Sequence, residues 1–227
     1  MSPSRRDMLL EIAAGIAVAA VILSLAILPQ RADPEERLFE AVRRKDAATV
    51  EALLSRGADA NMRNELGLTP LHFAASYGYS EIAELLIEYG ATVNVTDKSG
   101  RTPLHSAAGK NEFRVAKTLV KRGAEIDSRN CDGETPLHVA AFGFARETVQ
   151  LLLSLGAEVD AEDKKGRTPL FRALETGDPY MVKILADNGA NVCARDANGD
   201  TPLDIAKRRD HKTMVEMLLR LKKGGDG

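Results

Sequence analysis

The tetrapeptide Thr-Pro-Leu-His occurs at Thr69–His72, Thr102–His105 and Thr135–His138, each copy 33 residues after the one before. Thr168-Pro169-Leu170-Phe171 and Thr201-Pro202-Leu203-Asp204 keep the spacing with a different fourth residue. A period held this strictly argues against one globular core. It predicts stacked units, each burying its apolar face against its neighbours. Such arrays present an extended surface to a partner.

Three further series raise the count of units from five to six. Leu38 precedes Leu71, Leu104, Leu137, Leu170 and Leu203 by one period, and Ala41 and Leu53 open two parallel series. The first unit thus keeps the apolar pattern without the Thr-Pro start. Within the second unit, Thr69-Pro70 opens a first helix with a cap and a proline in the first turn. Ala74 and Ala75 leave its packing face small, and Gly78 turns the chain. Ile82, Leu85 and Leu86 recur at helical spacing, and Gly90 ends that second helix. Asp97-Lys98-Ser99-Gly100 then forms a hairpin tip.

This pattern resembles the ankyrin repeat. The resemblance rests on the tetrapeptides, on Ala74-Ala75, on the leucine series, and on Gly-Ala pairs from Gly57-Ala58 to Gly189-Ala190. It covers residues 35–222 and implies an all-α solenoid of six helix-turn-helix units with β-hairpin tips. The units run over 35–63, 64–96, 97–129, 130–162, 163–195 and 196–222, with a disordered tail at 223–227. The family also implies a concave face, formed by the tips and first helices, that binds another protein.

Upstream, Ile12 to Leu28 is apolar apart from Gly15 and Ser24. As a helix this stretch reaches roughly 26 Å, close to the ~30 Å hydrocarbon core of a bilayer. A core helix needs a polar face and this stretch has none. Residues 1–28 are therefore expected to be a hydrophobic helix acting as a single-pass membrane anchor, or a signal peptide, followed by a linker at 29–34. Arg5 and Arg6 place the N-terminus in the cytoplasm and the repeats beyond the membrane. Ser4-Arg5-Arg6-Asp7-Met8-Leu9-Leu10 is similar to the bacterial twin-arginine export motif, with Met8 and Leu10 departing from it. That likeness implies a bacterial inner membrane with the repeats in the periplasm. A cleaved chain is instead soluble there or secreted.

The chemistry-bearing residues point away from catalysis. A net charge of -2 gives no global field for nucleic acid. Units stacked roughly 10 Å apart cannot share a metal through the histidine row, since zinc needs ligands within ~2.1 Å. The row reads as hydrogen bonding between units, and His211, in a charged stretch, as solvated. No nucleophile–base pair, phosphate loop or cofactor motif is visible. The chain is expected to be a monomeric, non-enzymatic binding module that scaffolds or regulates a partner. The alternative is an exported inhibitor or immunity-type protein that blocks an enzyme.

Breaks in the repeat locate the contact surface. The inter-helix turn carries Gly78, Asn111, Phe144, Gly177 and Asp210. Phe144 suits a left-handed turn poorly, so Gly143 beside it implies a turn shifted by one residue. Tyr77, Tyr79, Phe142 and Phe144 are the candidate anchors, because aromatics dominate binding hot spots. Phe73 and Phe142 carry the competing reading of filling gaps between units. Leu66, Leu68, Lys98, Arg101, Cys131, Glu134, Lys165 and Arg167 form the candidate rim at the tips. Cys131 and Cys193 lie two periods apart, about 20 Å in such a stack, beyond the ~7 Å that a disulfide spans. Native protein on a non-reducing gel is expected to show no intramolecular bond. A compact monomer band that disappears with reductant would overturn this register.

Overall fold

The computed structural model describes residues 34–224. Among them are twelve helices in six pairs. The pairs are α1 (Pro34–Arg43) with α2 (Ala47–Leu54), α3 (Pro70–Ser76) with α4 (Ser80–Glu88), and α5 (Pro103–Gly109) with α6 (Phe113–Lys121). They continue with α7 (Pro136–Phe142) and α8 (Arg146–Ser154), α9 (Pro169–Thr176) and α10 (Pro179–Asp187), and α11 (Pro202–Arg208) and α12 (Lys212–Gly224). The expected anchor at 1–28 lies outside the described residues. Among the described residues no helix is long and apolar enough to cross a membrane. Pro34 already belongs to α1, and α12 runs past residue 222 to Gly224.

The first helices are short because sequence defines both ends. In the second unit Thr69 sits in extended backbone at φ -99°, ψ 166°, and Pro70 opens the helix with its φ already fixed and no amide to satisfy. At the far end the chain reverses through one left-handed residue in all six units: Lys45, Gly78, Asn111, Phe144, Gly177 and Asp210, with φ between 55° and 78°. The turn therefore does not shift at Phe144, which itself takes φ 58°. Gly143 has another reason to be glycine. A Cβ there would stand 2.8 Å from the carbonyl oxygen of Gly109 in the preceding first helix. Backbone touches backbone at that crossing, so no side chain fits.

Each first helix packs on its own second helix and on the first helices either side. Ala74, Ala75, Ala107, Ala108, Ala140 and Ala141 are fully buried in that contact. Ile82, Leu86, Val115, Leu119, Val149 and Leu152 fill the layer beneath. These small and large residues interdigitate into one continuous core along the stack.

The tips are turns. No strand forms among the described residues, which corrects the expected β-hairpins. A side chain takes the place of a ladder: Asp97 Oδ1 accepts the amides of Ser99 and Arg101 at 2.8 and 2.9 Å. Asn64, Asn130, Asp163 and Asp196 do the same in their tips. One backbone bond joins each tip to the previous one, as Lys98 N–H donates to Leu66 O at 3.0 Å and Cys131 N–H to Ser99 O at 2.9 Å. A single bond per junction is too few for a sheet.

The histidine row carries the side-chain bonding between units. His72 Nδ1 accepts from the amide and hydroxyl of Thr69 at 3.1 and 2.9 Å, closing the helix start. Its Nε2 lies 2.9 Å from the carbonyl of Arg101 in the next unit. A carbonyl only accepts, so Nε2 carries the proton and the ring is neutral. His105 and His138 repeat this with the carbonyls of Glu134 and Arg167. A second ladder runs along the Gly-Ala corners. Asn61 bonds Gly90 O and Thr92 N, and Asn94 bonds Gly123 O and Glu125 N. Asp127 and Asp160 continue it by accepting the amides of Glu158 and Asn191.

The row fails at the fifth unit. Phe171 fills the place of His and is buried. Thr168 Oγ1 is left buried without a partner among the described residues. In the sixth unit Asp204 restores the cap, accepting the amide and hydroxyl of Thr201 at 3.0 and 2.6 Å.

Two outcomes follow for stability. Burial pushes all three row histidines below their ordinary value of 6.5, His105 to about 4. In the unfolded chain they take up protons below pH ~6.5, so the folded state loses stability as pH falls from there toward ~4. His105 alone accounts for on the order of 3 kcal/mol across that window. The melting temperature should drop between pH ~6.5 and ~4.5, before most carboxylates titrate. A level melting temperature there would show that the rings are not held neutral. Separately, Phe144→Gly should raise stability by about 0.5–1 kcal/mol in urea titration, because glycine takes a left-handed φ without strain. A loss of stability would mean the Phe144 ring packs.

Candidate functional site

The twelve candidate residues divide into two aromatic clusters and a row of tips. Tyr77 is 48% exposed and stacks on Tyr79 with ring centroids 5.5 Å apart. Tyr79 is half-buried against the core, and the Lys45 ammonium lies 5.5 Å from its ring centre. Phe73 continues the cluster beside Tyr77, and Phe39 of the first unit meets Phe73 edge-on at 5.3 Å. The gap-filling reading thus fits Phe73. Phe39 stands one period before His72, in the place that the row histidine takes in the next three units, which is its signal in the sequence.

Phe142 and Phe144, two units further on, are 55% and 57% exposed. The Arg172 guanidinium lies 5.9 Å from the Phe142 ring centre. No aromatic contact joins this pair to the tyrosines. The unit between them presents Gly109 and Lys110 at the equivalent positions, so the four anchors form two patches.

Between the patches runs a groove. Leu68 of the second tip, Phe73, Ser76 and Tyr77 of α3 and its end, and Ser106 and Lys110 of α5 and its end line about 280 Å³. His72 forms its base. Ser76 leaves room there where the equivalent residue two units on is Phe142, and Ser106 where its equivalent one unit on is Val139. Leu66 is 64% exposed at the tip above it. Lys98, Arg101, Cys131 and Lys165 are likewise exposed along the tips, and Leu68 is half-buried. Cys131 and Cys193 are both free and exposed.

Glu134 and Arg167 are occupied within the fold. Arg172 pairs with Glu134 and bonds Glu175 at 2.9 Å. Arg167 bonds Asp163 at 2.7 Å and Glu175 at 2.9 Å. Two guanidiniums therefore face three carboxylates. Burial pushes Glu134 and Asp163 up, yet hydrogen bonds from Asn130 and Arg172 to the first, and from Arg167 and tip amides to the second, hold both below the ordinary carboxylate range. This cluster joins the fourth and fifth units. It escapes a reading along the chain because its members come from two tips and one helix, 41 positions end to end.

Away from that face, Arg146 bonds both oxygens of buried Asp178 at 2.9 Å and lies 4.8 Å from the Tyr180 ring centre. Among the described residues no three His, Cys, Asp or Glu side chains are placed to hold a metal ion.

Comparison with known proteins agrees with this architecture. The family model for ankyrin repeats in three copies matches residues 38–130 and 137–226. Among solved structures, the crystal structure of the ankyrin repeat domain of Bcl-3, a unique member of the IkappaB protein family, superposes with a TM-score of 0.74. It is 34% identical, over 82% of this chain and 85% of that one. A search of curated proteins finds no match.

Proposed function

Because the chain belongs to the ankyrin-repeat family, whose repeats are protein–protein interaction modules, we propose that it is a non-enzymatic module that scaffolds or regulates a partner protein. The partner lies on the concave face, across the tips and first helices. One observation carries this reading: Leu66, Tyr77 and Phe142 are large apolar side chains left more than two-fifths exposed along the tips and first-helix ends, with a groove beside Tyr77. Clustered rings left this exposed are what interface anchors look like.

The apolar stretch at residues 12–28 supports a membrane-tethered form, with the repeats on the periplasmic side of a bacterial inner membrane. With only a short linker before α1, the binding face stands close to the bilayer.

The test is affinity capture with the full chain from membranes and from the soluble envelope fraction, using wild type and a Tyr77→Ala, Phe142→Ala double variant. The expected result is a partner held by wild type and lost by the variant, with the melting temperature unchanged. Capture that survives in a variant melting lower would assign both rings to the core and sink the reading. The size of the recovered chain shows whether residues 1–26 are kept.

A further inference from the structure

Cations on the binding face fall into two groups. Toward the C-terminal end three arginines are paired, although Lys165 on the fifth tip forms no ion pair among the described residues. Arg167 and Arg172 are held by Asp163, Glu134 and Glu175, and Arg208 bonds Asp200 at 2.6 Å. Around the groove of the second and third units the cations are not paired. Lys98, Arg101 and Lys110 form no ion pair among the described residues. Asp97 of the same tip is turned inward, its Oδ1 on the amides of Ser99 and Arg101. The Arg101 backbone is fixed by His72, whose ring is the floor of the groove, and the Lys98 backbone by Leu66 on its rim. Lys110 lines the groove itself.

The groove has the scale of one side chain. Its volume of about 280 Å³ falls just short of the ~300–1,000 Å³ of small-molecule sites. Its walls are the Leu68, Phe73 and Tyr77 side chains, Lys110 stands in its lining, and Lys98 and Arg101 lie on the adjoining tip.

We infer that this groove takes one bulky apolar side chain from an extended segment of the partner, and that carboxylates flanking that residue meet Lys98, Arg101 and Lys110. This rests on the concave-face reading above and supplies the partner's chemistry: an acidic peptide with an apolar anchor. Uncompensated cations beside an apolar slot attract carboxylates and disfavour basic segments, giving selectivity as well as attachment. Nucleic acid fits less well, since three cations beside one slot give neither the basic stripe nor the row of stacking rings that a strand needs.

The test is selection of random phage-displayed dodecapeptides on the full chain, immobilised in mild detergent. A Lys98→Glu, Arg101→Glu, Lys110→Glu variant and a Ser106→Trp variant are run in the same detergent. Wild type should enrich peptides with Phe, Leu, Met or Ile beside two or more Asp or Glu residues. Charge reversal should weaken a selected peptide by about tenfold or more, as loss of two or three charge pairs does. Ser106→Trp, which fills the slot, should weaken it comparably while the melting temperature holds. Enrichment of basic or uncharged peptides would overturn the proposal. So would acidic peptides that bind the charge-reversed chain equally, or no enrichment. A labelled oligothymidylate retained by wild type and released by charge reversal would reassign the site to nucleic acid. A chain that captures a partner through Tyr77 and Phe142 yet selects no acidic peptide loses only the ligand chemistry. A chain that captures nothing loses the underlying reading too.

Discussion

One imidazole in each of the second, third and fourth units ties local folding to assembly. His72, His105 and His138 each hold their own helix start through Nδ1 and the next unit's backbone through Nε2. The second bond exists only once the next unit is in place, and it fixes the ring orientation and tautomer that the first bond uses. The neutral ring, the short first helix and the spacing between units are thus one arrangement. It explains why the tetrapeptide recurs as a block, since Thr, Pro and His act on the same turn of helix.

That rigid spacing also sets what the surface can do. With first helices touching backbone to backbone near Gly109 and Gly143, the residues that project from them are held at fixed intervals. A substitution such as Phe142 for a small residue becomes a ridge, and Ser76 and Ser106 become a hollow. Recognition here is a matter of relief and charge on a preformed frame. Little ordering entropy is lost when a partner settles on it.

The fold was legible because each unit repeats the same local physics. Thr-Pro starts, left-handed turns and alanine faces can be read off one copy and checked against five others. Where one residue had to be judged alone, reading failed. Gly143 suggested a displaced turn, yet its cause is an approach by Gly109, which lies in another unit. The tips suggested strands because their composition suits hairpins, but Asp97 and its equivalents satisfy the backbone from within. The candidate surface was legible residue by residue and not as groups. Sequence offered Glu134 and Arg167 as rim charges; only the folded contacts reveal that each is already paired, while Arg101 and Lys110 form no ion pair among the described residues.

The loss of the histidine at Phe171 has a consequence for how the molecule comes apart. At that junction no ring spans from the fifth unit to the sixth, Thr168 keeps an unmet hydroxyl, and the two first helices make the sparsest contact in the series. Cooperativity in a linear array is only as strong as its weakest link. The sixth unit is therefore a separable segment. Phe39 stands in the first unit where Phe171 stands in the fifth, so both ends of the array lack the imidazole bridge that its middle has.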